Sequence, residues 1–172
     1  MGRERKGREE MIEVKVTGVI QSPDLERRSY IVLLKELGGD RILPIWIGEN
    51  EAMAIMIALE HIKYPRPLTH DLVRLIIDAL GVKLIRVVVS DLKDDTYYAR
   101  LFIQKNGNII SIDARPSDSI AIALRADARI FVDNHIIEKN GMLLGDDERL
   151  DKIKEHLKGL NPEDFGNFEI PK

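Results

Sequence analysis

The chain has 172 residues, of which 44% are hydrophobic and 32% are charged, and it contains no cysteine. This length fits one domain, and the lack of cysteine excludes disulfides, thiolate metal sites and cysteine nucleophiles. The formal net charge of −3 argues against a protein whose whole surface attracts nucleic acid, although it allows a local basic site.

The N-terminus gives no sign of a targeting segment. Residues 1–10 mix acidic and basic side chains without an apolar run, so we expect them to be disordered and not a signal peptide. The longest apolar stretch, residues 52–59, is far shorter than the roughly 20 residues that cross a bilayer. We therefore expect a cytoplasmic protein with no membrane partner.

The first strands are predicted from alternation of apolar and polar residues. The pattern over 12–20 is typical of a half-buried strand, and the runs 30–36 and 41–47 flank a turn that contains two glycines. Pro44 in the last of these runs favours an edge or bulge position, because proline cannot donate to a neighbouring strand.

Two helices are predicted next, over 49–62 and 69–80, with Gly81 suited to the end of the second. The middle of the first helix is apolar on all sides. Such a helix must be covered nearly all round, by the sheet, by other helices or by a second subunit.

The second half of the chain predicts strands over 82–90, 96–105 and 108–114, a third helix over 117–126 and a strand over 130–132. The Asn-Gly pair before residue 108 is typical of a tight hairpin turn. This order of elements predicts an α+β fold, with a mixed, largely antiparallel sheet packed with three core helices.

The C-terminal part predicts a last hairpin between residues 136–137 and 142–144, followed by a charged helix over 146–158. We expect the folded domain to cover 11–145, and residues 146–172 to form a C-terminal helix and tail.

Two short segments share one plan: Arg66-Pro-Leu-Thr-His-Asp71 and Arg115-Pro-Ser-Asp118. Proline holds the preceding arginine in an extended or turn conformation, and the serine or threonine is a good helix N-cap. Each segment therefore predicts a helix N-terminus with a guanidinium beside it. Such a place can hold a phosphate.

The acids near these segments allow a second kind of contact. Asp113 and Asp118, with Glu51 at the start of the first helix, offer the oxygen ligands that Mg²⁺ or Mn²⁺ prefers. The simpler interpretation is structural: Ser117 caps the helix, Asp118 offsets the helix dipole and Arg115 pairs with Asp113. Ser117 is also a candidate contact for a bound anion.

His70 is a candidate general base, general acid or metal ligand, and its alternative interpretation is a surface histidine. Asp71 is interpreted as a stabiliser of the first helical turn before it is considered a ligand. Arg66 gains interest because it matches Arg115 in the repeated plan. The chain contains no nucleophile elbow, P-loop, dinucleotide fingerprint or HExxH motif, so spacing alone predicts an anion or metal site and no reaction.

Three strings in this order resemble the bifunctional nuclease domain family of bacteria and plants. They are Leu43-Pro-Ile-Trp-Ile-Gly48 with Glu51-Ala52, Arg66-Pro-Leu-Thr-His-Asp71, and Asp113-Ala-Arg-Pro-Ser-Asp-Ser119. The resemblance implies a compact α+β domain that tends to dimerise and that cleaves both RNA and DNA. The motif positions carried across are Glu51, Arg66, His70, Asp71, Asp113, Arg115 and Asp118.

Two hypotheses follow. In the first, the protein is a metal-assisted phosphodiesterase of low sequence specificity and a homodimer. Its acids Asp113, Asp118 and Glu51 hold Mg²⁺ or Mn²⁺, Arg115 and Arg66 offset developing charge, and His70 moves the proton. In the second, the protein is a non-catalytic regulatory module that binds an anionic ligand or a protein partner.

Overall fold

The computed structural model describes residues 10–22 and 29–143. Within them, the strands are β1 (Met11–Gln21), β2 (Ser29–Glu36), β3 (Arg41–Gly48), β4 (Lys83–Lys93), β5 (Thr96–Lys105), β6 (Asn108–Ala114), β7 (Arg129–Asp133) and β8 (Met142–Leu143). The helices are α1 (Glu49–Leu59), α2 (Thr69–Ala79), α3 (Pro116–Ala126) and α4 (Asn134–Asn140). None of these helices is long and apolar enough to span a membrane.

The described strands form one mixed sheet in the order β6-β5-β4-β7-β1-β2-β3-β8. The β4 and β7 strands pair in parallel, whereas the other neighbours pair antiparallel. The predicted α+β class with a mixed, largely antiparallel sheet is therefore confirmed. The β8 strand contacts β3 only at Arg41 and Ile42, so Pro44 lies where β3 has no second described neighbour, as its missing N–H requires.

The main core lies between the sheet and the helices α1 and α3. Val87 and Leu101 of the sheet pack in one cluster with Ile55 of α1 and Ile120 of α3, all of them buried. Burying one such side chain stabilises the fold by about 1.5–3 kcal/mol. Alanines on α3, such as the fully buried Ala123, allow α1 to approach closely.

Two strand-to-helix junctions position the candidate site. The β3 strand enters α1 directly at Gly48, and β6 enters α3 through Arg115. Because α1 and α3 pack side by side on the same face of the sheet, these junctions bring their first turns together.

The α1 helix ends at Leu59, three residues earlier than predicted. His61 adopts a left-handed conformation with φ of 52°, and the N–H of Ile62 returns to the carbonyl of Ile57 at 3.0 Å. This arrangement closes a helix efficiently, but glycine usually occupies the left-handed position. A histidine there gave no sequence signal. Gly81 takes the expected place after α2, with φ of 64°.

The predicted last hairpin is wrong. Residues 134–140 form α4, and Ile136 and Ile137 are both buried. Adjacent residues of a strand point to opposite faces, whereas neighbouring positions of a helix can share one buried arc. The predicted helix over 146–158 and most of the N-terminal segment lie outside the described residues.

Candidate active site

The first turns of three helices line one open cleft with a volume of about 660 Å³. The polar groups in it come from Glu51 on α1, His70 on α2, and Arg115 and Asp118 at the start of α3. The remaining lining residues are Asn50, Met53, Ala54, Ile57, Pro67, Leu68, Thr69 and Arg125. Residues from Asn50 to Arg125, which are 75 positions apart in the sequence, therefore share one cleft.

A continuous chain of hydrogen bonds crosses the cleft. His70 Nε2 lies 3.0 Å from Asp118 Oδ1, and Arg115 Nε donates to Asp118 Oδ2 at 2.7 Å. Arg115 Nη1 donates to Glu51 Oε1 at 3.1 Å. One guanidinium thus joins the carboxylates of two helices, while the histidine of a third helix contacts one of them.

Asp118 is electrostatically the most perturbed of these groups. Its hydrogen bond with His70, together with the adjacent Arg115, lowers the pKa of the Asp118 carboxyl to about 2, against the opposing effect of burial. Asp118 in turn raises the pKa of Arg115. At neutral pH the carboxylate is therefore ionised and available to stabilise a positive charge on His70.

Gly48 explains how Glu51 reaches Arg115. A Cβ atom built at Gly48 would lie 2.5 Å from Glu51 Oε2, so the carboxylate folds back over the glycine at the start of α1. The missing side chain at the β3–α1 junction leaves room for this conformation.

Arg125 is a cleft residue that the sequence interpretation missed. Its side chain is only 7% exposed, and its Nε donates to Asp71 Oδ1 at 2.5 Å. Its Nη1 donates to the carbonyls of Ala54 and Ala121, each at 2.9 Å. The signal that could have found it is its spacing of seven residues from Asp118, which places both residues on one face of α3.

Asp71 secures the start of α2. Although burial alone would raise the pKa of Asp71, its hydrogen bonds with the Leu68 N–H and with Arg125 lower it. The Leu68 N–H donates to Asp71 Oδ2 at 2.9 Å, so one carboxylate caps α2 and also binds Arg125 of α3. The ion pair therefore connects α2 to α3 directly beside His70.

Four predicted site residues do not line the cleft: Asp71, which binds Arg125 beside it, and Arg66, Asp113 and Ser117. Arg66 is exposed in the connection between α1 and α2 and makes no ion pair with a described residue. Asp113 is exposed on β6, where it faces Arg100 of β5. Ser117 is buried in the first turn of α3.

The predicted cap by Ser117 and the predicted Arg115–Asp113 pair are both wrong. Arg115 itself is the N-cap of α3, without a side-chain cap, because Pro116 begins the helix. The guanidinium of Arg115 turns to Glu51 and Asp118. Likewise, α2 has its N-cap at Leu68 and not at Thr69.

The acids predicted to bind metal are only partly together. Among residues 10–22 and 29–143, no group of three or more histidine or acidic side chains is arranged to hold a metal ion. Arg115 lies between Glu51 and Asp118, so in this arrangement the two carboxylates hold a guanidinium and do not fit a resident divalent cation. The metal therefore stays a prediction.

Comparison with known proteins shows which family and which proteins the chain is similar to. The family model of the bifunctional nuclease domain matches residues 32–144. An uncharacterized protein of Mycobacterium tuberculosis is 41% identical over 167 residues, which cover 90% of this chain and 98% of that protein.

Plant relatives match a part of their length. Bifunctional nuclease 1 of Oryza sativa subsp. indica is 35% identical over 127 residues, which cover 72% of this chain and 38% of the rice protein. Bifunctional nuclease 1 of Arabidopsis thaliana is 33% identical over 123 residues, with coverages of 70% and 38%. The chain thus spans about two fifths of these plant relatives. It belongs to the bifunctional nuclease domain family.

Proposed function

We propose that this protein is a nuclease that hydrolyses phosphodiester bonds of RNA and DNA, and that the cleft between α1, α2 and α3 is its active site. The observation that carries the proposal is the His70–Asp118–Arg115 cluster, which combines a proton carrier, an ionised carboxylate and a cation. Membership of the family supports the reaction class.

His70 is the proposed general base and acid. When its Nε2–H donates to Asp118, Nδ1 keeps a lone pair that can take a proton from a water attacking phosphorus. The bond from phosphorus to the leaving oxygen then breaks, and the imidazolium returns its proton to that oxygen. Asp118 orients the ring and stabilises the imidazolium.

Arg115 is the proposed partner of the phosphate. Its side chain is 65% exposed, so the guanidinium can contact a phosphate in the cleft while Glu51 and Asp118 hold it in place. It would offset the negative charge that develops on the phosphoryl oxygens. Contacts with phosphate carry no sequence information, which is consistent with low sequence specificity. Arg66 is proposed as a second, more distant cationic contact.

Metal assistance is a separate proposal. Glu51 and Asp118 would have to exchange Arg115 for Mg²⁺ or Mn²⁺, and the ion would supply charge stabilisation. Asp113, the third predicted ligand, lies outside the cleft and would have to move to reach the same ion. No step of the proposed reaction depends on it.

A non-catalytic regulatory module is the second candidate function. The observation that favours it is the pairing of Arg115 with two carboxylates, which is also a sufficient structural reason for keeping these residues. Such a module would bind an anionic ligand or a protein partner and would cleave nothing.

Nuclease assays on highly purified variants separate the two functions. We expect His70→Gln and Asp118→Asn to lower cleavage of single-stranded RNA and DNA by about 10²–10⁴-fold, the usual contribution of acid–base catalysis. Asp78→Asn is the matched control, because Asp78 forms an exposed ion pair with Arg74 on the same side of the sheet. Asp113→Asn, alone and combined with Asp118→Asn, tests whether Asp113 contributes to cleavage, as its predicted role as a metal ligand requires. Unchanged cleavage in both cleft variants would contradict the nuclease mechanism.

We also propose that the protein is a homodimer. The α2 helix has no buried residue, and Leu72, Leu75 and Ile76 are 52%, 46% and 49% exposed on its outward face. An exposed apolar stripe of this kind is typical of an interaction surface. Light scattering should give the mass of two chains, and that of one chain for Leu75→Glu. The predicted cytoplasmic location is tested by cell fractionation.

A further inference from the structure

The face of the sheet opposite α1 and α3 carries a regular grid of rings and cations. Two cross-strand rows define it, and we call it the open face. The first row is Ser111–Phe102–Arg86–Arg129, across β6, β5, β4 and β7. The second row is Asp113–Arg100–Val88–Phe131–Glu13, which continues to β1. The buried residues between these positions, such as Val87 and Leu101, point to the helices.

Each phenylalanine of the two rows lies against a cation. The Arg86 guanidinium carbon is 4.7 Å from the centroid of the Phe102 ring, and that of Arg129 is 5.3 Å from the Phe131 ring. Lys93 lies 5.9 Å from the ring of Tyr98, which shares this face because it precedes Arg100 by two positions on β5. The result is a surface on which apolar rings and positive charges alternate.

Within the described part of the chain, carboxylates neutralise the rim of this surface but not its centre. Glu13 lies 3.6 Å from Arg129, and Asp91 lies 2.7 Å from Lys93. At the centre, Arg100 donates to the Ser111 hydroxyl, and the buried Nε of Arg86 has no hydrogen-bond partner among the described residues.

Among residues 10–22 and 29–143, neither Arg86 nor Arg100 forms an ion pair with a carboxylate. Asp113 faces Arg100 across the strands without bonding it. No carboxylate of the described residues therefore competes with an anion for the two arginines beside Phe102.

The chemistry of this centre fits an unpaired nucleotide. Phosphates would pair with the two arginines, and bases can stack on aromatic rings or on the plane of a guanidinium. A duplex hides the faces of its bases, whereas a single strand offers them. An acidic peptide would match the charges and would leave the stacking surfaces unused.

We propose that the open face binds single-stranded nucleic acid through Arg86, Arg100 and Phe102. The position of Arg100 connects this face with the cleft. It pairs in register with Asp113, which is two residues before Arg115 at the end of β6. A strand that leaves the cleft around this corner of the sheet reaches the open face. The inference rests on the proposed function in taking the cleft substrate and the bound strand to be one molecule.

Binding is tested with a fluorescent oligothymidylate of roughly 16 nucleotides, a length within the range that single-strand binding folds cover. Anisotropy is measured on the full chain in EDTA, which removes metal-assisted cleavage, and gel electrophoresis of the same samples checks that the oligonucleotide stays intact. The test variant is Arg86→Gln with Arg100→Gln. The control is Arg74→Gln with Lys139→Gln, which makes the same change in charge on α2 and α4.

We expect the open-face variant to bind at least about tenfold more weakly, and the slope of log affinity against log salt to fall by about 1.4, because each lost phosphate contact on a single strand contributes about 0.7. The control should keep both values. Arg86→Lys keeps the charge but loses the planar stack on Phe102, so it should weaken binding with little change in the slope. Arg100 is exposed, and Arg100→Gln alone gives a result even if changes at Arg86 impair folding.

Five results would overturn the inference: no binding of the oligothymidylate by the wild-type chain, normal binding by the open-face variant, an equal loss in the control variant, equally tight binding of a duplex, or equally effective competition by polyglutamate. Hydrolysis of bis-p-nitrophenyl phosphate, which is too small to reach both surfaces, reports on the cleft alone. If open-face variants bind normally while cleft variants lose hydrolysis, the inference fails and the proposed function stands. If the open face binds the strand but nothing is hydrolysed, the proposed function fails and the inference stands.

Discussion

Removing the guanidinium of Arg125 tests whether its ion pair with Asp71 fixes the start of α2. Arg125→Met keeps most of the apolar stem but removes the hydrogen bonds to Asp71, Ala54 and Ala121. Breaking a buried ion pair by removing one partner typically costs 3–5 kcal/mol. Asp71 keeps 35% of its side chain exposed and can be partly resolvated, so we expect a loss of about 3 kcal/mol in the free energy of unfolding.

The matched control is Arg74→Met on the outer side of α2. Arg74 and Asp78 form an i,i+4 pair at 3.0 Å whose side chains are 46% and 52% exposed. Such pairs contribute about 0.3–0.5 kcal/mol, so the control should be nearly as stable as the wild-type chain.

Urea unfolding followed by circular dichroism measures both losses. A double-mutant cycle with Asp71→Asn isolates the pair, because residues in direct contact give non-additive changes in stability. The same variants should lower hydrolysis of a small diester, since a displaced Asp71 moves the adjacent His70 away from Asp118. A loss below about 1 kcal/mol, or additive changes in the cycle, would refute the reasoning that this pair fixes α2.

Three further predictions concern the ion pairs of the cleft. The pKa of Asp118 is about 2 in the folded state and 3.8 in the unfolded state. The contacts of Asp118 with His70 and Arg115 therefore contribute at most about 2 kcal/mol to the free energy of unfolding. This contribution is fully present above about pH 4 and is lost as the pH falls towards about 2. Urea titrations from pH 5 to pH 2 should therefore show the wild-type chain approaching the stability of Asp118→Asn, and a constant difference would contradict the assignment. Gly48→Ala should displace the Glu51 carboxylate from Arg115 and lower activity about as much as Glu51→Gln does; an additive loss in the double variant would show that the two act separately. If the carboxylates exchange Arg115 for a metal, calorimetric titration should show Mn²⁺ binding to the wild-type chain and at least about tenfold weaker binding to Asp118→Asn. No heat of binding with the wild-type chain would remove the metal proposal.

Local sequence patterns predicted the helices and strands of this fold better than they predicted which strands pair. The alternation in β1 and the Asn-Gly turn before β6 are short-range signals, and Asn106 and Gly107 indeed have φ of 50° and 81°, as a tight hairpin requires. The parallel pairing of β4 with β7 depends on how α3 crosses the sheet. That packing leaves no signature in either strand.

The candidate site shows the same limit. The Arg-Pro plan predicted that helices begin near residues 69 and 117, but not where Arg115 would find its partner. The guanidinium had Asp113 two residues away and instead pairs with Glu51, 64 positions away, because β3 and β6 deliver their following helices to the same end of the sheet. Arg125 was missed for a related reason: a basic residue in the last turn of a helix is ordinary, and only the contact with Asp71 makes it part of the cleft.

The charges of the cleft bear on how a substrate would be held. Arg115 is neutralised by Glu51 and Asp118, and Arg125 by Asp71, so the cleft alone offers little attraction to a polyanion. A nuclease built in this way needs contacts elsewhere on the strand, and the arginines of the open face can supply them. Because binding energy from remote parts of a substrate can be used at the reacting bond, a dinucleotide should be cleaved with a lower kcat as well as a higher KM than a long single strand. Equal kcat values for the dinucleotide and the long strand would mean that the open face contributes only to substrate binding.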